Sequence, residues 1–381
     1  MKNKMKIVLA PDSYKESMTA LEACDAMEKG IKKIDENIEC IKVPMADGGE
    51  GTTRSLVDAT GGELLSVEVL GPLGKPVNAK YGILGGGKIA VLEMASASGL
   101  ELVSLIDRNP MITSTYGTGQ LIKACLQHPI EKILIGIGGS ATNDGGAGMI
   151  EALGGKLLDK SGNIIERGGK YLKDIESIDL SQVDKRLKDI EIIVACDVNN
   201  PLIGDNGASQ IFGPQKGATP EMVKELDLSL KHFGEVINKS LGIDIITIAG
   251  AGAAGGLGAG LMAFLGGILK PGIDMVIEYS GIEDKIKDAD MVWTGEGSID
   301  NQTVFGKTPY GVAKLAKKYD KPVIALVGAI GEKVDMLYEN GIDSIFSMVT
   351  GAMTLEDAFE RSEKNLENLS ENITRMINIF K

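Results

Sequence analysis

Short aliphatic runs recur along the chain, each closed by glycine, proline or a carboxylate. They are Ile7–Ala10 before Pro11-Asp12, Ile41–Val43 before Pro44, Ile133–Ile137 before Gly138-Gly139, Ile192–Ala195 before Cys196-Asp197, Met291–Trp293 before Thr294-Gly295-Glu296, and Val323–Val327 before Gly328. Unbroken apolar runs of this length predict strands buried on both faces, as in a parallel sheet. Between them the apolar positions change to helical spacing. Thr19-Ala20-Leu21-Glu22 reads as a capping box, with Leu21, Cys24, Met27, Ile31 and Ile34 following along one helix face. A second helix is predicted through Val312, Leu315 and Ala316, and an amphipathic one from Leu355 onward, covering a sheet. Strand, loop and helix in alternation predict an α/β fold with right-handed crossovers.

One stretch follows a different rhythm. Leu65–Val69 and Ile89–Glu93 alternate, with turns at Gly71-Pro72 and Gly85-Gly86-Gly87, which predicts antiparallel or mixed strands. The expected organisation is a Rossmann-like parallel-sheet domain built from both chain ends (residues 1–63, 111–155 and 286–381). A second α/β domain, residues 64–110 and 156–285, is inserted into it.

Composition narrows the classes. Hydrophobic residues at 43 % and charged residues at 24 % fit a globular chain with a sizeable core. The net charge of −13 argues against a general nucleic-acid binder or a polybasic membrane-surface protein. No stretch approaches the ~20 apolar residues of a membrane span. The four cysteines, Cys24, Cys40, Cys125 and Cys196, are widely spaced, and together with only two histidines they make a zinc enzyme improbable. Reduced thiols and a cytoplasmic location are the expectation. Glycine, at 50 of 381 residues, runs well above the usual ~7 %.

Those glycines cluster. Eight fall between Gly136 and Gly155, directly after an apolar strand, with Ser140, Thr142, Asn143 and Asp144 among them. Small residues let main-chain N–H groups approach phosphate oxygens, and a helix expected to start near Gly146 would aim its positive end there. Packing alone is the competing reading. Gly250-Ala251-Gly252-Ala253-Ala254-Gly255 formally matches a dinucleotide fingerprint after an expected strand at Ile245–Ile248, with Asp274 downstream, but Pro271-Gly272 breaks the unit. A nucleotide-lining loop or close helix packing is the better reading of Gly252, Gly255 and Gly256. Asn301–Thr308 narrowly misses a P-loop: Asn301 replaces its first glycine and Pro309 follows at once, yet Lys307 remains a candidate phosphate contact.

Carboxylates cluster at predicted strand ends: Asp47 and Glu50, Asp197, Glu296 and Asp300. In α/β sheets these ends face the ligand crevice. Mg²⁺ takes one or two carboxylates plus phosphate oxygens, and a carboxylate can also orient an alcohol nucleophile. Ser13, Lys15 and Ser17, just before the capped helix, read as an anion pocket, and Ser114-Thr115-Tyr116-Gly117-Thr118-Gly119 as a hydroxyl-rich loop of the same kind.

At these residues the chain resembles the bacterial glycerate kinase type-1 family, of the glycerate 2-kinase kind. The resemblance lies in APDSYKES (Ala10–Ser17), ADGGEGT (Ala46–Thr52), EMASASGL (Glu93–Leu100), TSTYGTGQLI (Thr113–Ile122), IGIGGSATNDGGAGM (Ile135–Met149), ACDVNNPL (Ala195–Leu202), FGPQKGAT (Phe212–Thr219), GAGAAGGLGAG (Gly250–Gly260) and TGEGSIDNQTVFGK (Thr294–Lys307). Many relatives carry Arg where this chain has Ser298. The resemblance implies ATP- and Mg²⁺-dependent phosphorylation of D-glycerate to 2- or 3-phosphoglycerate in organic acid catabolism, in a cleft between two α/β domains. It leads us to expect Asp47, Lys15 and Asp197 as catalytic residues. Ser13, Lys15, Asp47, Ser114 and Thr115 would bind glycerate. Gly138, Gly139, Ser140, Asn143, Gly145, Gly252, Gly255, Gly256 and Lys307 would bind nucleotide, and Asp197, Asp144 and Glu296 would hold Mg²⁺. No nucleic-acid or membrane partner is expected, and a homodimer is left open. The rival classes are a non-enzymatic nucleotide- or sugar-acid-binding regulator and an NAD(P)-linked oxidoreductase.

Overall fold

A computed structural model describes residues 4–379. The chain forms two units. One holds Met1–Asp47, Arg54–Gly61 and Ile273–Lys381; the other holds Gly48–Thr53 and Gly62–Gly272.

The first unit is built on five parallel strands. In spatial order they are Ser344–Ser347, Val323–Val327, Met291–Gly295, Lys6–Pro11 and Glu39–Lys42. Counted along the chain within this unit, the order is 2-1-3-4-5, the flavodoxin-like form of the doubly wound fold. Its core includes Ile7, Leu9, Met27, Ile31, Trp293, Leu326 and Leu366. The capping box forms as expected: Glu22 N donates to Thr19 Oγ1 at 3.3 Å and Thr19 N to Glu22 Oε2 at 2.8 Å, opening helix Ala20–Lys32. The last helix, Ser362–Ile379, packs on that first helix so closely that a Cβ on Gly30 would lie 2.2 Å from Glu367 O.

The second unit carries a six-stranded mixed sheet. Its order is Ile268–Lys270, Glu191–Ala195, Lys132–Gly136, Ile89–Glu93, Pro76–Ile83, Glu63–Leu70. The first four strands run parallel, and the hairpin from Glu63 to Ile83 adds the antiparallel edge. The mixed character expected for the stretch from Leu65 to Glu93 is therefore present. One boundary is corrected: residues 111–155 belong to this unit, because Lys132–Gly136 pairs with Ile89–Glu93 on one side and Glu191–Ala195 on the other. A fully buried strand reads alike in either sheet, so its hydrophobic run could not say which sheet it joins. The strand expected at Ile245–Ile248 is irregular backbone, which removes the strand a dinucleotide fingerprint requires. No helix among the described residues is long and apolar enough to cross a membrane.

Candidate active site

In a 2-1-3-4-5 sheet, ligands bind beyond the strand carboxyl ends where the order reverses. Here that point lies between Lys6–Pro11 and Met291–Gly295. Asp12 follows the first of these strands and donates its N–H to Gly295 O at 2.8 Å; Glu296 follows the second. The chain after Glu39–Lys42 stays alongside through Met45 N to Pro11 O at 2.9 Å, which carries Asp47 to the same edge. Asp47, Asp12 and Glu296 thus stand in a row across three adjacent strands.

The row is short of positive charge. Asp12 is 9 % exposed, and burial and then repulsion from Asp47 push its carboxyl up to about 6. Ser13 N at 2.6 Å and Thr308 Oγ1 at 2.6 Å donate to it and partly offset this. Glu296 is 8 % exposed and is pushed up to about 7, chiefly by burial; Lys307 pulls it down while Asp12 and Asp47 push it up. Lys307 Nζ lies 3.6 Å from Glu296 Oε1, and Thr303 Oγ1 donates to the same oxygen at 3.2 Å. Helix Thr308–Lys317 follows at once, so the near-miss to a P-loop places its Lys and Thr on carboxylates. Such a row has the chemistry of a divalent-cation site shared with phosphate oxygens, and Glu296 is the candidate protein ligand in it. Among the described residues no three His, Cys, Asp or Glu side chains form a complete cage.

The loop after Pro11 is fixed by Tyr14. Its ring is buried and its hydroxyl donates to Leu326 O at 2.5 Å, while Tyr14 and Met18 exchange main-chain bonds of 2.8 and 2.9 Å. Glu16 accepts a left-handed backbone (φ 64°) to close the loop. Lys15 is left exposed and Ser13 half-buried, flanking the anchored tyrosine. Ser298 is exposed on the short strand Ser298–Ile299.

In the second unit the glycine loop divides. Gly138 and Gly139 are exposed, and their N–H groups donate to no acceptor among the described residues. Everything from Ser140 to Ile150 is buried. The expected phosphate seat at the helix start is filled by the protein's own carboxylate. Asp144, 1 % exposed, accepts from Thr115 N (2.8 Å), Thr115 Oγ1 (2.9 Å), Gly146 N (3.2 Å) and Gly148 N (3.2 Å). Burial and these four donors argue against Asp144 as a Mg²⁺ ligand. Thr115 also accepts Met149 N at 3.0 Å, and Ser114 accepts Tyr116 N at 3.2 Å, so these buried hydroxyls staple their own loops. Asn143 and Gly145 are likewise internal: Asn143 Nδ2 donates to Ser209 Oγ at 2.9 Å and Gly145 N to Gly255 O at 3.0 Å.

Gly252, Gly255 and Gly256 pack protein against protein. A Cβ on Gly255 would sit 2.0 Å from Thr142 O, and one on Gly252 2.1 Å from Pro201 O. Gly255 and Gly256 pack against the first glycine loop at Thr142, Asn143 and Gly145, and Gly252 against Pro201 and Ala208. Asp197 is exposed at the end of Glu191–Ala195 and accepts Gly272 N at 2.9 Å. Three residues carry more than the sequence suggested: Asp12, Thr308 and Lys216. Lys216 is 1 % exposed, with Nζ donating to Ser140 Oγ at 2.6 Å and Thr142 O at 2.7 Å, and burial pulls it down to about 7. Its only signal in the sequence was its place within FGPQKGAT.

One unit, doubly wound with an acidic row at its reversal point, and another carrying a glycine-rich loop define an α/β protein with candidate small-ligand sites at its strand ends. A profile of the glycerate kinase family matches residues 7–378. The chain belongs to the glycerate kinase family, whose members are kinases acting on an alcohol group. It is 53 % identical over 377 residues to a glycerate kinase of Bacillus subtilis (99 % of each chain) and 52 % identical to a glycerate 2-kinase of Escherichia coli K12 (98 % of each). A crystal structure from Salmonella typhimurium LT2, assigned to glycerate kinase 2, superposes with a TM-score of 0.92 at 50 % identity, covering 99 % of both chains.

Proposed function

We propose that this chain phosphorylates D-glycerate with ATP and Mg²⁺, giving 2-phosphoglycerate, as a cytoplasmic enzyme of organic acid catabolism. The observation that carries the reading is the row Asp47, Asp12 and Glu296 with Lys307, in a chain of this family. The 52 % identity to a protein called glycerate 2-kinase favours the 2-phosphate over the 3-phosphate.

In this reading Lys15 and Ser13 hold the glycerate carboxylate. Asp47 orients the attacking hydroxyl and accepts its proton. The hydroxyl oxygen forms a bond to the γ-phosphorus as the bond to the bridging oxygen breaks, and ADP leaves. Lys307 offsets charge on the transferring group, since phosphoryl transfer is mostly positioning and charge neutralisation. Bare N–H groups at Gly138 and Gly139 bind phosphate oxygens of the nucleotide. In the first unit Glu296 is the candidate Mg²⁺ ligand, and in the second Asp197 is an exposed carboxylate of the same chemistry; the ion, when bound, would neutralise phosphate charge. Incubating the protein with D-glycerate, ATP and Mg²⁺ and resolving the products by phosphorus NMR tests this. A 2-phosphoglycerate resonance is expected; glycerate-independent ATP loss, or none, would overturn it.

A further inference from the structure

Lys216 is a lysine in the interior, and its placement has a consequence for the exposed tip of the glycine loop. An ammonium has three donors and no acceptor. Its bond to Ser140 Oγ at 2.6 Å therefore uses a lone pair of that hydroxyl. The hydrogen of Ser140 is left to donate elsewhere, and Ser140 Oγ makes no other hydrogen bond among the described residues. Ser140 directly follows Gly138 and Gly139, which are exposed and whose N–H groups have no acceptor among the described residues. The second bond of Lys216, to Thr142 O at 2.7 Å, holds the loop two residues further on. We propose that Lys216 is a positioning residue for the nucleotide: protonated, it fixes the Ser140 hydroxyl as a donor beside Gly138 and Gly139, so that the tip presents three donors to a phosphate group. This rests on the reading of the chain as an ATP-dependent kinase and adds to it the device that sets the loop's polarity.

The proton on Lys216 decides the direction of the Ser140 bond. A neutral amine can accept from Ser140, and the tip then loses its hydroxyl donor. Burial pulls Lys216 down to about 7, and the carboxylate of Asp144 is the charge that pulls it back up. Arg108 lies at the adjoining turn. It packs against Gly217, and its Nη1 donates to Gln215 O at 3.3 Å, which places its charge beside the same turn. An anion arriving at the tip shifts the balance toward the ammonium. Nucleotide binding above neutral pH is therefore expected to draw a proton onto Lys216.

The test is calorimetry of MgATP binding to the full chain at pH 8 without glycerate, in two buffers of different ionisation enthalpy. At that pH the nucleotide itself exchanges no proton. The wild-type protein is expected to take up protons, at most one per nucleotide bound. Lys216→Met, which keeps the volume and removes the charge, should abolish the uptake and raise the KM for ATP about ten- to hundredfold, with the KM for glycerate unchanged. Lys216→Arg, charged at every pH, should bind without uptake. Ser140→Ala should weaken ATP to a similar degree, and the double variant should be no worse than either single one. Ser140→Ala keeps the lysine, so it reports even if Lys216→Met folds poorly. Undiminished proton uptake in Lys216→Met, or additive losses in the double variant, would overturn the role of Lys216 alone. Wild-type protein that binds no MgATP would overturn the kinase reading with it.

Discussion

Asp47 and Glu296 share one sheet edge but differ in setting, and substitution should separate their roles. Asp47 is half-buried at the end of the row. Asp47→Asn keeps its shape and removes the acceptor for the hydroxyl proton. In the proposed mechanism kcat falls by about 10²–10⁴ while ATP binding persists, as steady-state kinetics beside nucleotide calorimetry would show. An unchanged kcat would remove Asp47 from the chemistry. Lys15→Ala should mainly raise the KM for glycerate; a change confined to ATP would move Lys15 to the nucleotide. Glu296 makes a different prediction because its carboxyl is pushed up from an ordinary 4.5 to about 7. Between those values the folded chain holds a proton that the unfolded chain has lost. Stability from this group is full below about pH 4.5 and is lost as pH rises through 7. Glu296→Gln mimics the protonated form, so it should stabilise the protein at pH 8 by about 1–3 kcal/mol and have little effect at pH 4. Urea unfolding at both pH values checks it, with activity at pH 8 expected to collapse.

At the scale of the element, the helix Ala147–Ala152 shows how buried polar residues can imitate a ligand site. Hydroxyls, glycines and an Asp after an apolar strand read as a phosphate loop, because an anion at a helix start needs the same donors whether it comes from a ligand or from the chain. Asp144 takes that seat itself. Asp144→Ala should therefore cost roughly 3–5 kcal/mol of stability by orphaning buried donors. The dependence of rate on Mg²⁺ should stay unchanged in protein that remains folded. A shifted Mg²⁺ requirement at wild-type stability would restore Asp144 as a metal ligand. Other elements were legible because their signals are local. The capping box at Thr19, the buried runs at Ile7 and Val323, and the carboxylates after strands all follow from neighbours in sequence. Lys216 was not legible, since nothing near it in the chain announces that Ser140 and Thr142, more than seventy residues away, will surround it. Membership of the strand Lys132–Gly136 was hidden for a related reason: pairing partners are not written in a strand whose both faces are apolar.

For the whole molecule, the two units differ in how the chain supplies them. The first is assembled from three separated pieces, whereas the second is nearly one continuous stretch with its own core, from Val69 through Leu265. A fragment covering residues 48–272 should consequently melt cooperatively by itself. The short piece Gly48–Thr53 packs its glycines against Ala195, Gly136 and Gly272 and is also tied by one side chain. Glu93, at the end of the Ile89–Glu93 strand, accepts Thr53 N at 2.7 Å and Gly51 N at 3.1 Å, and burial pushes its carboxyl up despite both donors. A fragment starting at residue 62 keeps the core but strips those donors from the carboxylate. It should be less stable than the 48–272 fragment by roughly 1.5–3 kcal/mol at pH 8, the value of hydrogen bonds to a charged group. The gap should narrow as pH falls and Glu93 is protonated in the shorter fragment, because a neutral carboxyl loses less when its donors go. Urea midpoints of the two fragments at pH 8 and pH 5 measure this. Equal stability at both pH values would mean that Gly48–Thr53 is carried by the second unit without supporting it.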